Sequence, residues 1–223
     1  MRGLVKYIVS STYKPLLVKY LSKTRMYSYK GIHLEVPPQV FHPGFFFSTK
    51  LLLRYISKEH LSQKSLLELG AGSGLLSIYA AKKGANVVAT DINPISVECI
   101  RANAKENTVD IRTIQSDVFH NISQQQFDFI LVNPPYYKKN PSSLSDYAWY
   151  CGEQGEYFQK LFQNLGSYIH EGSKVLMVLC DGCDLEMIKT MALKKNFNLK
   201  CVHKKEAIIE TNYIFRIQQL KRI

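Results

Sequence analysis

From residue 65 onward the hydrophobic positions of this chain alternate between two rhythms. Short, nearly continuous apolar runs cover Ser65–Leu69, Asn86–Thr90, Ile111–Gln115, Phe127–Val132 and Lys174–Leu179. They are too short for helices and lack the alternation of a half-exposed strand, so they predict strands buried on both faces. Between them, apolar residues at three- and four-residue spacing predict helices over Leu75–Lys83, from Pro94 onward, over Glu156–His170 and over Leu185–Lys195. Pro94 suits a first helical turn, where its missing N–H costs nothing, and Gly84 suits the left-handed position that ends a helix. This alternation predicts an α/β fold with a doubly wound, mostly parallel sheet. Two last strands, Leu199–His203 and Tyr213–Gln218, have no helix between them. They predict a terminal antiparallel hairpin that completes a seven-stranded sheet.

Upstream the pattern is less regular. Residues 4–26 mix apolar and basic positions with a break at Pro15, which predicts one or two short amphipathic helices. Residues 30–47 contain Pro37, Pro38, Pro43 and Gly44 and predict irregular chain, followed by a helix over Ser48–Lys58. The expected organisation is a short, basic, helical N-terminal extension over residues 1–35 and one α/β domain over residues 36–223.

The chemistry gathers at the carboxyl ends of the predicted strands, where doubly wound sheets bind ligands. The first strand runs into Glu68-Leu69-Gly70-Ala71-Gly72-Ser73-Gly74, a turn whose glycines let backbone approach a ligand. Its spacing is not the pyrophosphate fingerprint, and no lysine follows to make a P-loop. The acid just before it suits a cationic ligand such as S-adenosyl-L-methionine, which carries an ammonium and a sulfonium. Asp91, with Ile92 beside it, ends the second strand and can accept from two ribose hydroxyls. Asp117 follows the third and can accept from an adenine amino group while Val118 packs on the ring. Either aspartate alone reads equally well as a turn or helix cap. At three successive strand ends, beside a glycine loop, they read as one cofactor site.

The fourth strand delivers Asn133-Pro134-Pro135-Tyr136 to the same edge. Two prolines immobilise this backbone, and Pro134 holds Asn133 extended. The lone pair of an amide or exocyclic amino nitrogen is delocalised, so such a nitrogen is a poor nucleophile. Two acceptors, the Asn133 side-chain oxygen and the Pro134 carbonyl, can hold its hydrogens and turn the lone pair toward an electrophilic methyl. Tyr136 can stack on the planar group. The expected catalytic set is therefore Asn133, Pro134, Pro135 and Tyr136. The expected cofactor set is Glu68, Gly70, Ala71, Gly72, Gly74, Asp91, Ile92, Asp117, Val118 and Asn133.

These motifs resemble the Rossmann-like (class I) S-adenosylmethionine-dependent methyltransferases of HemK type and their small-domain relatives. The resemblance rests on the Glu68–Gly74 loop, on Asp91-Ile92-Asn93-Pro94, on the tetrapeptide, and on Cys151-Gly152-Glu153-Gln154-Gly155. It covers residues 36–218 and implies methylation of a glutamine side chain in a protein such as a translation factor, or of an exocyclic amine of adenine or guanine in RNA or DNA. Before the glycine loop the chain departs from both branches. Val40-Phe41-His42-Pro43-Gly44-Phe45-Phe46-Phe47-Ser48-Thr49 supplies phenylalanines where an acid is usual.

Charge keeps both substrates in play. Residues 1–30 and 189–223 each carry +7, whereas the stretch between them carries −3. Basic ends can attract the phosphates of a nucleic acid, or simply keep the surface solvated. The five cysteines are irregularly spaced and Cys180/Cys183 has no second pair, so reduced thiols and no metal site are expected. No apolar run approaches the roughly 20 residues of a membrane span. Lys6, Lys14 and Lys19 interrupt any signal-like stretch, and a cytoplasmic location is expected.

Overall fold

The computed structural model describes residues 19–45, 47–207 and 210–220. Most of the expected amphipathic helices over 4–26 therefore lies outside the described residues. A hairpin, β1 (Arg25–Tyr29) and β2 (Ile32–Val36), occupies the stretch where irregular chain was expected from residue 30. Lys30 and Gly31, both at positive φ, make its two-residue turn. The helix α1 (Phe47–Ile56) leads into the sheet, which holds β3 (Ser65–Leu69), β4 (Asn86–Asp91), β5 (Arg112–Gln115), β6 (Phe129–Val132), β7 (Lys174–Cys180), β8 (Phe197–Glu206) and β9 (Thr211–Gln219). Their order across the sheet is β5-β4-β3-β6-β7-β9-β8. The first five are parallel and β9 is inserted antiparallel between β7 and β8. The doubly wound fold with a terminal hairpin is as expected.

Helices α2 (Leu75–Lys82), α3 (Pro94–Glu106), α4 (Glu156–Asn164) and α5 (Leu185–Lys194) cover the two faces. The helix expected over Glu156–His170 is shorter, because Leu165–Tyr168 tightens into a 3₁₀ turn. On one face Phe127, Phe158, Leu161, Phe162 and Ile188 form the core with Leu67, Ile130 and Met177. On the other, Leu52, Ile56, Leu76 and Ile78 pack with Leu66, Leu131 and Val178. β3 and β6 are thus apolar on both sides, as their unbroken apolar runs require.

The β1–β2 hairpin crosses the boundary drawn at residue 35 and is built into the second core through Ile32, Leu34 and Val36. Its alternation is complete: Ile32, Leu34 and Val36 are buried, His33 and Glu35 exposed. Two asparagines one turn apart on α3 grip its backbone. Asn103 Oδ1 accepts from Glu35 N at 2.8 Å, and its Nδ2 donates to the carbonyls of Glu35 (3.1 Å) and Ser73 (3.0 Å). Asn107 does the same at His33, accepting from its N at 3.1 Å and donating to its carbonyl at 2.6 Å. Through Ser73 this clamp also reaches the glycine loop. Asn103→Ala strands the Glu35 N–H and the Ser73 carbonyl and should cost about 2–3 kcal/mol, read as a fall of roughly 5–10 °C in Tm. A Tm within 1–2 °C of wild type would show that the hairpin is held by its apolar face alone.

Candidate active site

The carboxyl ends of β3, β4 and β6 surround one cleft of about 280 Å³. Glu68, Gly70, Ala71, Gly72, Asp91, Ile92, Asp117, Val118, Asn133, Pro134, Pro135 and Tyr136 all line it. Of the sequence-derived set only Gly74 does not. Its φ of 82° starts α2, and a Cβ there would lie 3.4 Å from the Ile100 side chain, so its requirement is steric.

Gly74 has no side chain to cap α2, and Glu68 performs that service from β3. Its carboxylate accepts from the Ser77 N–H at 2.8 Å and from the Ser77 hydroxyl. Glu68 is buried, and burial pushes its pKa up to about 8, with Asp91 adding to the rise and the Ser77 bonds opposing it. A buried acid so close to neutrality is poised to ionise when a cation arrives. Asp91 closes the glycine loop: its carboxylate accepts from Gly72 N and Asn93 N, both at 2.9 Å, and burial raises its pKa. Asn93 in turn caps α3 by accepting from Ile95 N at 2.9 Å, and its Nδ2 donates to the Gln39 carbonyl. The loop preceding α1 is thereby tied to the cofactor side of the cleft.

Asp117, expected to face an adenine amino group, also pairs with Lys160 of α4. Only one of its oxygens is engaged by that lysine, which leaves the other as an acceptor. Lys160 itself lines the cleft and has no sequence signal, since it sits 43 residues further along the chain. Tyr157, one turn earlier, is another residue that the sequence does not reveal. It lines the cleft, yet its hydroxyl is sealed from solvent and has no hydrogen-bond partner. Burial pushes its pKa well up, with the carboxylates of Asp91 and Asp117 adding to the rise. An orphaned hydroxyl in such a wall fits a ligand rich in acceptors, such as an adenosyl group. Tyr157→Phe should leave Tm unchanged or slightly raised while weakening S-adenosylmethionine binding about five- to tenfold. An unaltered dissociation constant would assign Tyr157 to packing.

Asn133 ends β6, and its Nδ2 donates to the hydroxyl of buried Thr49 on α1 at 3.3 Å. That bond holds the amide in place with its Nδ2 end toward Thr49, and Oδ1 is then the end left as an acceptor. Thr49 belongs to the phenylalanine-rich segment, whose departure from the family pattern concealed this role. Beyond Asn133 the chain loops out and returns. Tyr136 N and Tyr137 N both donate to the Trp149 carbonyl, at 3.1 and 3.0 Å, and Asp146 holds the turn by accepting from Ser142 N at 2.9 Å. Trp149 packs on Phe41 with ring centroids 5.4 Å apart, so Tyr136, Tyr147, Trp149 and Phe41 line the wall of the cleft. Gly152 and Gly155, both at positive φ, turn the returning chain into α4. The Glu156 carboxylate occupies the space that a Cβ on Gly152 would need.

Residues 33–151 match the model of the methyltransferase small domain. The chain belongs to the methyltransferase small domain family. It is an S-adenosylmethionine-dependent methyltransferase of HemK type, as its motifs implied. One relative, from Methanocaldococcus jannaschii and named as a putative protein N5-glutamine methyltransferase, is 37% identical over 152 residues, 66% of this chain and 75% of that protein. The release factor glutamine methyltransferase of Streptococcus pneumoniae is 34% identical over 116 residues, but the match spans only 40% of that protein. Among solved structures, a 16S rRNA N2 G1207 methyltransferase of T. thermophilus, in complex with AdoMet and guanosine, shares the fold with a TM-score of 0.64. That match has 19% identity and covers 89% of this chain and 50% of the other. This methyltransferase has no helix long and apolar enough to cross a membrane among its described residues.

Proposed function

We propose that this methyltransferase modifies a planar nitrogen, and that the nitrogen is the side-chain amide of a glutamine in a protein such as a translation factor. The observation that carries the reading is the tetrapeptide on the wall of the cleft, with the Asn133 amide held by Thr49 at its Nδ2 end and its Oδ1 left as an acceptor. S-adenosylmethionine supplies the electrophilic methyl when bound. Glu68 meets its ammonium, Asp91 its ribose hydroxyls, and Asp117 its adenine amino group, with Val118 against the ring. Asn133 Oδ1 and the Pro134 carbonyl accept the two amide hydrogens, which aims the nitrogen lone pair at the methyl. Tyr136 covers the planar amide. No strong base is needed before transfer, because positioning and electrostatics lower the barrier and the proton leaves to solvent afterwards.

The 37% identical relative over two thirds of the chain supports glutamine over a base. An RNA base is the second reading. Tyr136, Tyr147 and Trp149 together on the cleft wall favour it, since aromatic faces stack on bases, as do the two basic ends. Incubation of a cell lysate with methyl-labelled S-adenosylmethionine, with and without ribonuclease, separates the two. Label is expected in protein and should survive ribonuclease. Label lost on ribonuclease treatment would transfer the assignment to RNA.

A further inference from the structure

β7 ends at Cys180, and the chain turns through Asp181 and Gly182 to Cys183 before Asp184 caps α5. The two sulfurs lie 3.8 Å apart. Cys180 N donates to Cys183 Sγ at 3.2 Å, and Cys183 N donates to the Cys180 carbonyl at 3.1 Å, so the turn that holds the thiols together is already formed. Cys180 is buried, whereas Cys183 is partly exposed. Tyr136 of the catalytic tetrapeptide and Cys183 pack against the same core, which places the thiol pair beside the tetrapeptide. The bond between the two sulfurs favours the Cys180 thiolate, whose pKa is lowered despite burial, and pushes that of Cys183 well up, so the pair shares one proton. Packing alone calls for neither two adjacent thiols nor a strand-to-helix turn that draws them together. The other buried cysteines bond to backbone instead: Cys99 donates to the Glu35 carbonyl and Cys151 to the carbonyls of Tyr137 and Gly152.

We propose that Cys180 and Cys183 form a reversible modification site for small disulfides, and that closing the Cys180–Cys183 bond shifts the turn packed beside Tyr136 and slows methyl transfer. The first half stands on the thiol geometry; the second rests on the catalytic role given to the tetrapeptide. The shared proton passes from Cys183 to the Cys180 thiolate, and Cys183, the reachable sulfur, then attacks a small disulfide such as oxidised glutathione and releases one thiolate, which takes that proton from Cys180 as it leaves. The Cys180 thiolate then attacks Cys183 Sγ of the mixed disulfide and releases the second thiol. Two protein thiols are oxidised to one disulfide, and one small disulfide is reduced to two thiols. The sulfurs must close from 3.8 Å to about 2.05 Å, which draws in the turn between β7 and α5.

The test uses the full chain with Cys201→Ser, which removes the exposed thiol of β8. After incubation with oxidised glutathione, intact mass should fall by about 2 Da, the two hydrogens lost on closure, and dithiothreitol should reverse the change. Methyl transfer should drop about tenfold in the oxidised form, within the roughly 10²-fold that a ~1 Å displacement of a catalytic group can cost, and recover on reduction. Adding Cys183→Ser should abolish both the mass loss and the oxidant sensitivity at unchanged reduced activity. Adding Cys180→Ser instead should trap the mixed disulfide at Cys183. A mass that shows only glutathione adducts, or none, overturns the site. A closed disulfide with transfer within twofold of the reduced enzyme overturns its link to Tyr136. The comparison uses whichever acceptor takes label from the lysate, protein or RNA, so an error in substrate assignment leaves both outcomes readable.

Discussion

Asn133→Ala should reduce methyl transfer by roughly 10²–10³-fold, the scale seen when one preorganised polar group at a reacting centre is removed, and leave S-adenosylmethionine affinity within about twofold. The split follows from where the side chain sits. Apart from Asn133 itself, the groups assigned to the cofactor come from β3, β4 and the loop after β5, and none is held by the Asn133 side chain, whose one observed partner is Thr49. What alanine removes is the acceptor aimed at the nucleophile. Thr49→Val offers a finer probe of the same idea. Without the Thr49 hydroxyl the Asn133 amide loses the partner that holds it in place, and its oxygen is no longer fixed toward the substrate nitrogen. Transfer should then fall about tenfold, again at unchanged cofactor affinity, with Thr49→Ser restoring most of it. Single-turnover transfer and calorimetric binding on the same preparations measure both quantities. Full turnover in Asn133→Ala would remove the tetrapeptide from the mechanism.

The strands that carry the site were legible because they are buried on both faces, and burial writes an apolar run into the sequence. Leu66, Leu67 and Leu69 of β3 and the whole of β6 are buried, and no helix of that length could explain them. The glycine loop, Asp91 and the tetrapeptide were legible because each sits directly after such a strand, so strand order alone brings them together. Thr49, Tyr157 and Lys160 reach the cleft from helices, on faces that look like any amphipathic surface. Their roles exist only once α1 and α4 are docked, with partners 84 and 43 residues away for Thr49 and Lys160. The β1–β2 hairpin was missed for a different reason. Its five-residue alternation, Ile32-His33-Leu34-Glu35-Val36, is a fair strand signal, but the prolines at 37, 38 and 43 dominated the window, and its Lys30-Gly31 turn lacks the usual Asn or Asp. The asparagines that hold it in place, Asn103 and Asn107, read in sequence only as weak helix formers.

Glu68→Gln should stabilise the cofactor-free protein and weaken the cofactor complex, and the pH dependence gives the reason. In the folded, cofactor-free protein burial pushes the Glu68 pKa from 4.5 up to about 8. The neutral form is the one this fold prefers, so Glu68 costs nothing below its unfolded pKa. The cost grows as pH rises through the window between the two values and is complete above about 8. At 1.36 kcal/mol per pKa unit it reaches at most on the order of 5 kcal/mol. Glutamine keeps an acceptor for the Ser77 N–H and hydroxyl, cannot ionise, and should remove this slope, so that its Tm advantage over wild type widens from pH 5 to pH 8. In the complex the order reverses. An ammonium beside Glu68 favours the carboxylate, so binding at pH 7, where the cofactor's own amine is still charged, should expel close to one proton from the wild-type protein. Calorimetry in buffers of different ionisation enthalpy counts that proton directly. Glu68→Gln should release none and bind at least tenfold more weakly. Equal proton release in the two proteins would mean that the cationic end of the cofactor lies elsewhere in the cleft, and that Glu68 serves only to cap α2. The stability that the wild-type enzyme forgoes at neutral pH is then the measure of how far this site is organised around a positive charge it must bind.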